Sequence, residues 1–408
     1  MRIAIIGGGA AGMMAGIQAA EGGAAVTLFE GNEKLGKKVY ITGKGRCNLT
    51  NAKTYDEFFK GLAHNGRFMY SAMHFFSNLR MMDLIEGLGV PLNVERGERV
   101  FPASNKASDV SRALEGRLRA LGVEIRLNAR VEAVKTAPNG FLVRASGREE
   151  PFSRVILCTG GLSYPATGSD GFGLALAQAL GHEVTDLQPS LIPILTREDW
   201  PKALSGLSLK NVEFSARRGK KLLFKELGEM LFTHFGLSGP LVLSASAHLV
   251  GLPLDEILLL IDLKPGLSHE QLDARLLREL TAEPRKQMAG LMAALAPKSL
   301  GLALLELAGI PEGTVASQLT RSQRGDLAGI LKALPLHAAG FRPIEEAIIT
   351  RGGLNIKQID PSTMQSKLLP GLYLAGEMLD VDGYTGGFNL QIAWSTGALA
   401  GHSAAAGA

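Results

Sequence analysis

Arg2-Ile3-Ala4-Ile5-Ile6-Gly7-Gly8-Gly9-Ala10-Ala11-Gly12 opens the chain. Its first five residues form an apolar run of strand length, and the glycines at 7, 9 and 12 have the G-x-G-x-x-G spacing. Residues 13–21 read as a small-residue helix, and Ala25-Val26-Thr27-Leu28-Phe29 as a second strand that ends in Glu30. Gly7 permits the tight turn, Gly9 lets a pyrophosphate approach the backbone, and Gly12 lets the helix lie close on the sheet. Ala10 and Ala11 complete the glycine-rich turn before the helix, whose unpaired N–H groups and positive dipole end suit that pyrophosphate. Glu30 follows where an acid can accept hydrogen bonds from ribose hydroxyls. Glycines alone are a weak signal; strand, glycines, helix, strand and acid in order make a dinucleotide-binding unit. Early glycines and Glu21 do not fit a secretory signal.

A chain of 408 residues is long enough for two or three domains. Apolar residues make up 46%, yet no run reaches the roughly 18 that a membrane span needs. Cys47 and Cys158 are too few for a disulfide framework, so a cytoplasmic location is expected. The eight histidines form no H-x-H, H-E-x-x-H or Cys/His cluster, and no metal site is expected. A net charge of +4 permits an anionic partner such as RNA without demanding one.

Residues 31–51 read as a basic, glycine-rich loop that can run along the rest of a dinucleotide, with Lys38, Gly45, Arg46, Cys47 and Asn48 as its candidate contacts. Helices are expected over 68–88 and 107–121, and strands over 123–127, 131–136, 141–145 and 152–157, with Asn139-Gly140 as a hairpin turn. Val131 falls where an adenine can rest against backbone. Cys158-Thr159-Gly160-Gly161 forms a second small-residue turn, before a helix over 172–180.

The texture changes near residue 191. Residues 191–350 read as an inserted domain, with a β part over 191–265 and 335–350 and a helical cap over 266–334. Its expected strands include 209–216, 220–225 and 258–263, and Arg217, Arg218, Lys220 and Lys221 sit at a basic hairpin tip that becomes a contact if the substrate is anionic. From 351 to 408 the chain returns to the first fold. A strand over 372–375 leads to Gly376 and Glu377, then to a glycine-rich loop and a helix entered through Gly387, Phe388, Asn389 and Leu390. This second glycine-lined helix start offers another anion site. No second G-x-G-x-x-G with its acid exists, so no separate nicotinamide domain is expected.

These segments together resemble the BaiN/RdsA family of NAD(P)/FAD-dependent oxidoreductases over nearly the whole chain. The most specific stretches are residues 6–12, 45–51, 101–107, 231–240, 375–377 and 386–389. Gly43-Lys44-Gly45 departs from a pattern that often has three glycines and adds a cation there. The resemblance implies an α/β, Rossmann-like FAD-binding domain of the glutathione-reductase and fumarate-reductase kind, with a large insert. It implies FAD as cofactor, NAD(P)H as transient reductant, and three activities: reduction of steroid-like enones, reduction of a 23S ribosomal RNA uridine to dihydrouridine, and oxidation of aminoacetone-type amines.

Uracil and a steroid enone share a C=C conjugated to a carbonyl, which takes hydride at the β carbon and a proton at the α carbon. Cys47, Tyr384 and His234 are the candidate proton donors, in that order. Arg46 beside Cys47 would favour thiolate and so weaken that thiol as an acid. The leading expectation is an RNA uridine reductase; a small-molecule enone reductase or amine oxidase needs only a pocket, and a non-catalytic flavin-binding RNA or assembly factor is the third reading.

Overall fold

The computed structural model describes residues 1–407. They divide into two compact units, Met1–Ser190 with Pro343–Ala408, and Leu191–Arg342.

In the first unit, β1 (Arg2–Ile6), α1 (Ala10–Glu21) and β2 (Ala25–Phe29) follow one another without a break. With α2 (Ala107–Ala120), β3 (Glu124–Arg126), β4 (Arg154–Leu157), β5 (Leu372–Leu374) and α3 (Phe388–Ala406) they build the nucleotide fold. The five strands are all parallel in the order β5-β4-β1-β2-β3. Ile3 stands opposite both Val26 and Arg154. Ile3, Ala4 and Ile5 are fully buried, which is why β1 is continuously apolar: a parallel sheet is covered on both faces. Strand order reverses between β1 and β4, so ligands are expected at the C-terminal ends of those two strands.

Several local expectations change. The single helix over 68–88 is two, Tyr70–Phe75 and Asn78–Gly87, because Phe76 leaves helical geometry and the Ser77 hydroxyl caps the second. The strand over 152–157 belongs to two sheets: Arg148–Phe152 closes a three-stranded antiparallel sheet, and β4 starts at Arg154. The loop over 31–51 contains a helical turn at Lys37–Ile41, a 3-10 turn at Thr42–Gly45 and a strand at Thr50–Asn51.

The second unit is a closed six-stranded barrel: Ile194–Thr196, Gly236–Ser238, Lys221–Thr233, Ser208–Arg218, Ile257–Asp262 and Leu334–Phe341 in that order. Phe214, Phe232, Ile261 and Leu336 fill it. Helices His269–Ala282 and Arg321–Lys332 each begin with a capping box, Ser268 with Gln271 and Thr320 with Gln323. The strand expected over 220–225 continues to Thr233. A helix at Pro240–Leu249, entered through Gly239 at φ 91°, is not among the expected elements. The unit ends at Arg342 rather than 350. Ile349–Arg351 pairs with Gln188–Ser190, which ties residues 343–350 to the first unit.

Candidate cofactor and active site

At the C-terminal end of β1 the chain turns through Gly7 at φ 103°. Gly12 is pressed against the Gly7 carbonyl, and a β-carbon there would also lie 3.2 Å from the Cys158 sulfur. Gly9 is different: a β-carbon would meet nothing within 4 Å, so the space before it is open. Gly9 stands at the N-cap of α1, and no side chain caps that helix. The first N–H groups of α1, at Ala10 and Ala11 among them, have no intrahelical acceptor. Glu30, buried at the end of β2, accepts the Gly8 N–H (2.8 Å) on one oxygen and the Asn32 N–H (2.8 Å) on the other. The acid thus also braces the glycine turn.

The second glycine-lined helix start has the same form. Gly387, at φ 100°, is the N-cap of α3 and again no side chain caps it. Asn389 folds its carboxamide back onto Gly383 N–H and C=O, both at 2.8 Å. Phe388 is buried against Phe58 (centroids 4.8 Å apart), and Leu390 is half-buried. The 48–51 segment clasps this entry. The Asn48 carboxamide oxygen accepts the Gly387 N–H (3.2 Å), and Asn51 Nδ2 donates to the Gly386 carbonyl (3.0 Å). Trp394 Nε1 donates to the Leu49 carbonyl (2.9 Å).

α1 and α3 lie side by side and run in the same direction, with Gly397 on the backbone of Ala11 and Gly401 on that of Ala15. Ala11 is the second residue of α1 and Gly397 the tenth of α3. The start of α3 therefore leads that of α1 by eight residues, about 12 Å at 1.5 Å per residue. Two uncapped, positively polarised helix starts are spaced along one line.

Between the strand ends lies an ion-pair cluster. Lys38 Nζ donates to Glu377 Oε2 and Ser163 Oγ, each at 2.5 Å. Ser163 Oγ (2.7 Å) and the Thr350 N–H (3.0 Å) both reach Glu377 Oε1. Ser163 and Thr350 carry no local sequence signal, because their partners come from residues 38 and 377. Gly376 donates its N–H to Thr396 Oγ1 (3.0 Å), and Thr159 donates its N–H and hydroxyl to Met378 Sδ (3.2 Å each). Gly160, at φ 84°, packs on Ser169. Val131 is buried beside a cavity of about 420 Å³, lined also by Asn128, Arg130, Glu132, Ser146 and Phe172. The Arg130 guanidinium lies 4.6 Å over the Phe172 ring.

Arg46 has partners from distant segments. Its guanidinium binds Glu95 and Asn105 and lies 4.0 Å over Phe101. The thiolate-favouring cation expected beside Cys47 is thereby engaged elsewhere. Cys47 is buried in the core, and burial pushes its thiol up to about 12, against a smaller opposing effect of the Thr42 hydrogen bond. Gly45, at φ 85°, and Lys44, at φ 59°, both hold left-handed backbone; for lysine this geometry is strained.

Tyr384 is half-buried in the loop that leads to α3, with its N–H on the Gly61 carbonyl (2.8 Å). Behind it, Asp382 is fully buried, accepting the Ser190 hydroxyl (2.7 Å) and the Arg351 guanidinium (3.2 Å). His234 belongs to the second unit, exposed, its ring 4.8 Å from that of Phe235.

Fold and site together define a Rossmann-type oxidoreductase with an inserted barrel. The chain belongs to the family described as HI0933-like protein Rossmann domain, whose model matches residues 1–403. It is 36% identical to the 3-dehydro-bile acid delta(4,6)-reductase of Clostridium scindens, over 99% of each chain. It is 30% identical to the ribosomal RNA dihydrouridine synthase of Haemophilus influenzae, over 96% of this chain and 95% of that one. Among solved structures, the 3-ketosteroid-delta4-(5alpha)-dehydrogenase of Rhodococcus jostii RHA1 covers 99% of this chain and 96% of its own, at TM-score 0.52 and 16% identity. That last likeness is one of fold.

Proposed function

We propose that the chain is a FAD-dependent reductase of a C=C conjugated to a carbonyl, and that its substrate is a uridine in 23S ribosomal RNA. The carrying observation is the pair of uncapped helix starts set about 12 Å apart on parallel helices. A long ligand with a pyrophosphate in one part and an electron-rich ring in another fits both; a mononucleotide uses one. Open space at Gly9, an acid at Glu30 and the cavity beside Val131 suit the pyrophosphate, ribose and adenine of FAD.

Bound FAD would take hydride from NAD(P)H and supply it to the β carbon of the acceptor. This chain's residues have three tasks. The glycine turn and α1 hold the pyrophosphate, with Lys38 and Glu377 joining the strand ends across the site. The first turn of α3, at Phe388, Asn389 and Leu390, stabilises negative charge placed before it. Tyr384 gives the α carbon its proton. It replaces Cys47 as the first choice because Cys47 is enclosed in core and Tyr384 lies in the loop before α3.

The relative from H. influenzae, by its name, acts on ribosomal RNA, and the mildly basic chain agrees with such a substrate. The higher identity to a bile acid reductase favours a second reading, a small-molecule enone reductase with the same chemistry. Mapping dihydrouridine in 23S RNA from a deletion strain decides between them. Its loss, restored by the gene, supports the RNA reading; an unchanged RNA, with purified protein oxidising NAD(P)H on a steroid enone, replaces it with the second.

A further inference from the structure

The barrel contains a hairpin much longer than its neighbours, Ser208–Arg218 and Lys221–Thr233, joined at Gly219. Residues 208–233 contain six lysines and arginines and three glutamates, so this one segment holds three of the chain's four net positive charges. The cations are not spent evenly. Lys225 pairs with Glu213 (2.9 Å) and Arg218 with Glu256 (2.6 Å), both along the arms. Arg217, Lys220 and Lys221, at the tip, are exposed and make no ion pair with the described residues. Lys210 is exposed farther along the first arm.

The tip backbone is fixed rather than loose. Arg217 stands opposite Leu222 and Arg218 opposite Lys221, and the strand Ile257–Asp262 continues the sheet beside them. A rigid turn holds the backbone positions of these cations, so a polyanion that binds them orders side chains but not the loop. Three unpaired cations within five residues suit consecutive backbone phosphates, which bind positively charged groups without reading sequence.

We propose that this hairpin is an RNA docking surface, in which Arg217, Lys220 and Lys221 contact the phosphate backbone of the substrate RNA. The surface rests on the RNA reading given above and supplies affinity and placement, not chemistry.

The probe is an unmodified transcript of 23S ribosomal RNA, titrated with the holoenzyme at several salt concentrations. Wild-type affinity falls steeply with salt, and the charge-reversed variant R217E/K220E/K221E binds at least tenfold more weakly. Three lost phosphate contacts also make its log K against log salt slope shallower by about two to three. Unchanged flavin content and thermal melting establish that the variant is folded. Equal affinity and equal slope in the two proteins overturn the surface, as does wild-type binding to poly-glutamate as tight as to the transcript. The two readings fail separately. A transcript bound through the hairpin but never reduced defeats the uridine reading and leaves the surface standing. A transcript reduced by both proteins with the same KM defeats the surface and leaves the uridine reading standing.

Discussion

Gly397 rests on the backbone of Ala11: a β-carbon at 397 would lie 2.8 Å from both the Ala11 Cα and its carbonyl carbon. Gly401 makes the same approach to Ala15 one turn later. The stagger of the two helix starts depends on this seam, because a methyl group at either position must push α3 off α1. Gly397→Ala is expected to cost about 1–3 kcal/mol by overpacking, and to reduce the flavin retained per protein. Gly116→Ala is the control. Gly116 lies in α2 with open space where the methyl would go, and there the change adds up to about 1 kcal/mol through helix propensity. Thermal melts and flavin absorbance of both variants measure the contrast; equal stability of the two would refute the seam.

Lys38 and Glu377 form a second joint. Their side chains are 21% and 12% exposed, so neither charge is well solvated when its partner is removed. Lys38→Met leaves the Glu377 carboxylate with the Ser163 hydroxyl and the Thr350 N–H among the described residues, and is expected to destabilise by about 1–3 kcal/mol. The double variant Lys38→Met with Glu377→Gln is expected to lose less than the sum of the two single losses. A double-mutant cycle by denaturant unfolding measures the coupling, and simple additivity would show that the two side chains do not stabilise the fold through each other.

Much of this nucleotide unit is legible in local pattern. The strand, the three glycines and Glu30 are neighbours in sequence, and each position has a steric or electrostatic reason that shows in one residue type. The Lys38–Ser163–Thr350–Glu377 cluster is not legible in that way, since four distant segments meet there and none of the residues is unusual where it stands. The partners of Arg46 are hidden for a related reason. Its nearest charges in the sequence are lysines, and only the fold brings Glu95 to it and Phe101 beneath it. The break at Phe76 and Ser77 hides inside a helical period because apolar spacing continues across it while the cap is a single hydroxyl.

His182 gives the first unit a pH dependence. It is buried, with Nε2 2.8 Å from Ser366 Oγ, and burial holds its basicity below the usual value for histidine, against a smaller opposing contribution from Ala177. As pH falls through the ordinary histidine value of about 6.5, the unfolded chain binds the proton before the folded one does. The stability is therefore full above that pH and is lost on going lower, by at most about 1.4 kcal/mol per pH unit for one proton. His182→Gln is expected to flatten the fall in melting temperature between about pH 7 and 5. Parallel curves for the variant and the wild type would remove His182 from the effect.

Tyr384 is the sharpest test of the proposed chemistry, because its alternatives separate cleanly. Its loop is held on one side by the Gly61 carbonyl and on the other by the buried Asp382, so Tyr384→Phe removes a hydroxyl without freeing the backbone. If the hydroxyl protonates the α carbon, kcat falls by about 100-fold or more, the scale of a lost general acid. Flavin content and the rate at which NAD(P)H reduces it are expected to stay as in the wild type. Cys47→Ser is expected to change neither half-reaction, since its thiol lies in the core and is held protonated. Stopped-flow measurement of the two half-reactions discriminates. An unaltered oxidative half-reaction in Tyr384→Phe, together with a slow one in Cys47→Ser, would return the acid to the thiol and require the core around residue 47 to open to substrate.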